Sequence, residues 1–237
     1  MPEKIIQLDR SVVVAADVEA SKLSDLVRQT CVVEGIGGYK VGLALALEEG
    51  LPRIVGQVKE ETDLPVIYDH QKAGNDIPAM GAEFAKICRK AGVDAIILFP
   101  FGGAKTERDW IHAAQDQDLG VLVGAHMTQP EFFHSEGGSV ADDAPQKIFT
   151  IAAQEGVKDF VVPGNKLEYV QKYTDLFDDI LGPGNFTLYA PGFITQGGEI
   201  SDFAKAAGDR WHVIVGSAIY KAVNINEAAE QMTKQIR

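Results

Sequence analysis

Residues 65–99 read PVIYDHQKAGNDIPAMGAEFAKICRKAGVDAIILF. The stretch opens and closes on short apolar runs, 65–68 and 95–99, rich in Val, Ile and Leu. Continuous runs of this kind suit strands buried on both faces of a parallel sheet. Between them the spacing predicts a helix over 77–91, with Pro78 near its start and Gly92 just past its end. Proline is tolerated in a first turn and glycine stops a last one. The stretch is thus one strand–helix–strand unit, and it carries a dense polar insert, Asp69 to Asp76, between the first strand and the helix.

The same alternation extends in both directions. Apolar runs fall at 11–16, 38–41, 65–68, 95–99, 120–124, 160–162, 186–189 and 213–215. Helix-like stretches at 106–117 and 144–155 fit between them, and Asn226 is placed to cap a final helix over 227–236. Strand starts are 25 to 30 residues apart, with one longer interval after the fifth. Eight such units in 237 residues point to a closed (β/α)8 TIM barrel, a fold that takes roughly 250 residues. The chain then reads as one domain over 1–237, since no linker, charge block or low-complexity segment divides it. A doubly wound open sheet is the structural rival.

Composition narrows the function classes. The hydrophobic fraction of 46% supports a sizeable core. With 22 basic and 34 acidic side chains the net charge is −12, which excludes a general nucleic-acid binder. A small phosphorylated ligand needs only a few local cations and is not excluded. Cys31 and Cys88 are isolated and predict two buried or half-buried thiols, not a disulfide framework or zinc site. No apolar run approaches a membrane span, and the run 12–16 lacks a signal peptide's basic flank. These features predict a soluble, cytoplasmic protein without nucleic-acid or membrane partners.

In such a barrel, chemistry sits at the C-terminal ends of the strands. The first strand ends at Asp17, the second carries Lys40, and the third ends at Asp69, followed by Lys72 and Asp76. A lysine within an apolar strand needs a carboxylate to offset its desolvation, and Asp69 on the next strand is the natural partner. An alternating Lys–Asp array holds a lysine protonated as a general acid and sets a carboxylate against a substrate's negative group. A purely structural ion-pair network is the other reading. The segment 190–199 after strand seven is glycine-rich and Gly216-Ser217 follows strand eight, the two loops where barrels often bind phosphate. The five histidines are scattered, no nucleophile elbow or Walker motif is present, and no metal site is expected. His126 reads as a hydrogen-bonded structural residue. The long segment 126–138 after strand five reads as a lid over the active face or as a surface loop.

Assembled, these residues resemble the orotidine 5'-phosphate decarboxylase family, its archaeal branch above all. The match runs from Asp17 to the final helix: Gly-Tyr-Lys-Val-Gly around Lys40, Asp69, Lys72 and Asp76-Ile77-Pro78 beside the family's D-x-K-x-x-D-I-P, and Met127-Thr128-Gln129-Pro130 beside M-S-H-P. It continues through Val162-Pro163 with Lys166-Leu167-Glu168, Pro191-Gly192 through Gln196-Gly197-Gly198, and Val215-Gly216 with Ile219-Tyr220. The resemblance implies roles. Asp17 would bind a ribose hydroxyl and Lys40 would hold Asp69 and the ribose. Asp69 would crowd the departing carboxylate and Lys72 would protonate C6. Asp76 would reach into a partner subunit's site, making a homodimer the working unit. Thr128 and Pro191 would line the base site, while Gln196, Gly197, Gly216 and Ser217 would meet the phosphate. No metal or organic cofactor would be required.

Three departures stand out. Asp69 and Lys72 are three residues apart instead of two, and Lys72 and Asp76 four instead of three, which demands a bulge if Lys72 is to face inward. Met80 stands where the family has threonine, and Ser217 where it has the phosphate-binding arginine. Loss of a bidentate guanidinium weakens phosphate binding unless another cation substitutes. Lys105 is the candidate substitute. The remaining alternatives are a magnesium-dependent sugar-phosphate enzyme of similar architecture, disfavoured because Lys40 stands where those carry a glutamate, and a catalytically silent phosphate-binding barrel.

Overall fold

A computed structural model describes residues 4–193 and 200–236; the side chains of Lys72 and Ser201 lie outside that description. Eight parallel strands pair in chain order and close on themselves. They are β1 (Arg10–Ala15), β2 (Ile36–Gly42), β3 (Val66–Ala73), β4 (Ala95–Leu98), β5 (Gly120–Gly124), β6 (Asp159–Val161), β7 (Thr187–Ala190) and β8 (Trp211–Val215). The seam is β1 against β8, with Val12 opposite Val213. All eight sit on the apolar runs read from the sequence, so the closed barrel holds and the open sheet does not.

Ten α-helices are described between and after the strands: α1 (Ala20–Thr30), α2 (Leu43–Glu49), α3 (Leu51–Lys59), α4 (Met80–Lys90), α5 (Ala104–Gln115), α6 (Ala144–Gln154), α7 (Leu167–Leu181), α8 (Ile200–Ala206), α9 (Ser217–Tyr220) and α10 (Ile225–Lys234). Their apolar faces cover the outside of the strands in the larger core cluster, Val12, Tyr39, Ile96, Leu188 and Trp211 among it. The residues of opposite parity fill the barrel: Val13, Ala15, Ile67, Ile97, Leu122, Val161, Tyr189 and Ile214. Strand alternation thus sorts two cores, an outer one under the helices and an inner plug. Gly124 is required by that plug, since a β-carbon there would lie 2.3 Å from the Phe99 ring.

Three helix starts differ from expectation, α5 beginning at Ala104 instead of 106. The helix predicted from 77 begins at Met80, because Ile77 precedes a proline and is pushed out of helical conformation. Its carbonyl accepts from Met80 N at 3.1 Å and from Trp110 Nε1 at 3.2 Å. The final helix is capped by Asn224, whose Oδ1 accepts from Glu227 N at 3.1 Å. Asn226 is not the cap; its Nδ2 donates to the Gln29 carbonyl and ties α10 to α1. Cys88 is buried and Cys31 half-buried, as the composition implied.

Candidate active site

Parity places the site. Inward positions run Ala15 to Asp17 past β1, Lys40 on β2, Ile67 to Asp69 on β3, and Ile214 to Gly216 past β8. The same alternation that fills the barrel with Val and Ile therefore delivers Asp17, Lys40 and Asp69 to its C-terminal mouth. Lys40 is 7% exposed, and its Nζ lies 3.3 Å from Asp17 Oδ1 and 3.5 Å from Asp69 Oδ2. Two carboxylates flank the buried ammonium and offset its desolvation. The expected Lys40–Asp69 pairing is present, and Asp17 is a second partner.

The stretched motif is absorbed by a bulge. On β3, Tyr68 pairs with Ile96 and the next pairing is Ala73 with Leu98, so β3 spends three more residues than β4 over that span. Gln71 supplies the turn with φ 56°, a left-handed value unusual for a residue other than glycine. Ala73 lies in the outer core while Asp69 lies on the inner register, so the bulge has reset the alternation between them. The Lys72 side chain is outside the description. Gln71 N donates to Asp69 Oδ1 at 3.0 Å, which fixes the carboxylate from the other side. His70 points outward: its Nδ1 is 2.6 Å from Tyr68 Oη and its ring packs edge-on to Phe84.

A cavity of about 100 Å3 opens at the mouth. Lys40 and Asp69 form its polar floor, and Thr128, Met127, His126, Phe99 and Pro191 are among its walls. Of the side chains described there, Lys40 is the one cation. A larger groove of about 690 Å3 lies between α5 and α6, lined by Phe101, Ala104 and Ile148, and does not include the Lys–Asp array. Charge convergence favours the smaller cavity as the reactive one.

The segment after β5 is anchored, not loose. Phe132 and Phe133 are buried and pack against His126, and Phe133 bridges to Val140. Glu136 carboxylate accepts from Phe132 N at 2.9 Å, which with Lys166 nearby holds its pKa below the ordinary range. Lys166, in the turn before α7, was not assigned from the sequence. Its Nζ reaches His126 Nε2 at 3.0 Å, the Gln129 carbonyl at 3.4 Å and Glu136 at 3.7 Å. Asn165 Nδ2 donates to the Thr128 carbonyl at 3.4 Å. These partners stand 30 to 40 residues away in sequence, which is why local pattern did not reveal them. His126 is 2% exposed, and burial and then Lys166 push its pKa down to about 3. The neutral ring accepts from Lys166 at Nε2 and donates from Nδ1 to Tyr173 Oη. It is structural and hydrogen-bonded, as expected, yet it also lines the cavity.

The other expected residues divide. Thr128 and Pro191 are at the cavity, while Gly216 and Ser217 form the turn into α9. Asp76 is exposed on the segment after β3, with Oδ1 accepting from Ile77 N, and is not among the cavity-lining residues. Gln196 and Gly197 lie outside the described residues. Lys105, the candidate substitute cation, is exposed on α5 and pairs with Asp109 at 2.9 Å. Among the described residues, no three His, Cys, Asp or Glu side chains gather to hold a metal ion. No described helix is long and apolar enough to cross a membrane.

Residues 10–232 match the family described as orotidine 5'-phosphate decarboxylase / HUMPS. The orotidine 5'-phosphate decarboxylase of Methanosarcina mazei is 32% identical over 219 residues, 92% of this chain and 90% of that one. The enzyme of the same name from Thermoplasma acidophilum is 30% identical, covering 92% and 94%. Among solved structures, orotidine 5'-monophosphate decarboxylase of Methanocaldococcus jannaschii, complexed with the inhibitor BMP, superposes with a TM-score of 0.82 at 25% identity, covering 96% of this chain and 99% of that one. Orotidine 5'-phosphate decarboxylase of Pyrococcus horikoshii gives 0.78 at 27% identity, covering 95% and 99%.

Proposed function

Since the chain belongs to the orotidine 5'-phosphate decarboxylase / HUMPS family, we propose that it decarboxylates orotidine 5'-monophosphate to UMP, as a carbon–carbon lyase of pyrimidine biosynthesis. The observation that carries this reading is the Asp17–Lys40–Asp69 array on inward strand ends at the floor of the cavity. Asp69, fixed by Lys40 and the Gln71 amide, faces the substrate carboxylate and raises the ground state relative to the transition state. The C6–carboxylate bond breaks, carbon dioxide leaves, and the electron pair stays on C6. The Lys72 ammonium then gives its proton to C6. Lys40 and Asp17 hold the ribose, and Thr128 and Pro191 bound the pyrimidine. Gln196, Gly197, Gly216 and Ser217 take the phosphate, and binding energy from that remote group drives the strained geometry at C6. These groups supply the chemistry without a metal or organic cofactor.

The working unit in this reading is a homodimer, with Asp76 entering the partner's site. Exposed apolar side chains that follow neighbouring strands, Leu47 on α2, Ile77 just before α4 and Met80 at its start, support a protein contact there. The enzyme acts in the cytoplasm on a free nucleotide. The test is loss of orotate absorbance on mixing protein with orotidine 5'-monophosphate, with and without EDTA. Equal turnover in both is expected, and Lys72→Ala should cost at least about a hundredfold in kcat. No turnover by the unmodified chain overturns the reading, and dependence on Mg2+ with a sugar phosphate would favour the magnesium enzymes.

A further inference from the structure

We propose that Gln71 is a substrate-contacting residue whose carboxamide, together with Asp17 and Lys40, binds the cis-diol of the substrate's ribose. The proposal rests on the nucleotide reading above and adds a residue that the D-x-K-x-x-D-I-P pattern does not contain. It begins from the backbone. Gln71 has φ 56°, and the other described non-glycine residues with positive φ are Asp118 and Glu131. Aspartate tolerates that region through local side-chain bonds, and glutamine has no such help. A glycine at 71 would make the same turn without strain. Such outliers collect at functional sites, where the surrounding structure holds them in place.

The side chain's position says what the glutamine is for. A β-carbon placed on Gly42 would lie 3.1 Å from Asp17 Oδ1, 3.8 Å from Lys40 Nζ and 4.0 Å from Gln71 Nε2. The three polar heads therefore ring one small space above the end of β2, and glycine at 42 keeps it clear. The ring offers a carboxylate acceptor and two N–H donors. A hydroxyl is both donor and acceptor, and two neighbouring hydroxyls satisfy all three groups at once. Gln71 is exposed at the mouth, so a ligand reaches it directly. Its own amide meanwhile holds Asp69 Oδ1 at 3.0 Å. One bulge residue thus links the reactive carboxylate, through its backbone, to sugar recognition through its side chain.

Calorimetric titration of the full chain with UMP, 2'-deoxy-UMP and 3'-deoxy-UMP tests this, using unmodified protein, Gln71→Gly and Gln71→Asn. Both variants tolerate the left-handed turn, so their melting temperatures should equal or exceed that of the unmodified chain. Each should bind UMP roughly three- to tenfold more weakly, the worth of one hydrogen bond, and at least one deoxy analogue with less than about twofold change. Equal loss for all three ligands, or no loss for UMP, overturns the role of Gln71. If the unmodified chain binds UMP and turns over orotidine 5'-monophosphate, that failure leaves the decarboxylase reading intact. If it binds no UMP, the reading and the proposal fall together.

Discussion

Two buried histidines set the acid limit of this molecule. His126 and His212 are 2% and 1% exposed, and burial holds both pKa values down at about 3, against an ordinary 6.5. His212 sits in the barrel with Nδ1 2.7 Å from Ser11 Oγ. Between those pH values the unfolded chain binds two protons that the fold refuses. Their contribution to stability is therefore full above pH 6.5 and falls as pH drops toward 3, by about 1.4 kcal/mol per unit for each ring. In urea unfolding at pH 7, 6 and 5, His212→Asn should change the pH slope of stability by one proton relative to the unmodified chain. An unchanged slope in that variant would sink the assignment. At this scale the sequence was informative where parity decides. Asp17, Lys40 and Asp69 follow from counting by two along apolar strands. Gln71 and Lys166 do not, because one depends on a turn that breaks the count and the other on partners far away in the chain.

At the scale of elements, the bulge in β3 shows why the central motif was the hardest to read. A three-residue spacing puts Asp69 and Lys72 on opposite faces of a regular strand. The strand bulges between Tyr68 and Ala73 around left-handed Gln71, and nothing in the residue types announces it. Strand existence, by contrast, was legible for all eight, because runs of Val, Ile and Leu need no partner identified in advance. The α5–α6 contact makes a prediction of opposite sign to the histidines. Glu107 on α5 is 1% exposed, its Oε1 has no hydrogen-bond partner in the protein, and burial lifts its pKa to about 8 from an ordinary 4.5. The fold keeps a proton that the unfolded chain loses, so this group's contribution to stability declines as pH rises from 4.5 to 8. Glu107→Gln should raise the melting temperature by more at pH 8 than at pH 5. A gain independent of pH would refute the account. The β5 segment gives another. Lys166→Met removes three bonds to it, so amide hydrogen exchange across 127–138 should quicken at least about tenfold while β1 to β4 stay protected. Unchanged exchange would mean that Phe132 and Phe133 anchor the segment unaided.

For the whole molecule, the question is how many chains make one site. Lys40 lines the cavity of its own chain and Asp76 does not. If Asp76 serves a partner, then Asp76→Asn and Lys40→Ala proteins, each nearly inactive alone, should regain activity when unfolded together and refolded as a mixture. One site of the mixed dimer would then hold both native residues, and roughly a quarter of full activity would return in a random mixture, provided the dimer is the symmetric kind. No recovery, with dimers confirmed by light scattering, would confine Asp76 to its own chain.

The seam between β1 and β8 carries a consequence for how the protein comes into being. Arg10 pairs with Trp211 and Val14 with Val215, so the first strand waits for the last. Asp17 and Lys40 emerge early in synthesis, yet the wall formed by Ile214 and the turn at Gly216 arrive some two hundred residues later. Until then β1 and β7 are open edges with unpaired backbone. A product of translation that stops before β8 lacks Ile214 and the Gly216 turn, so its site has no wall on that side.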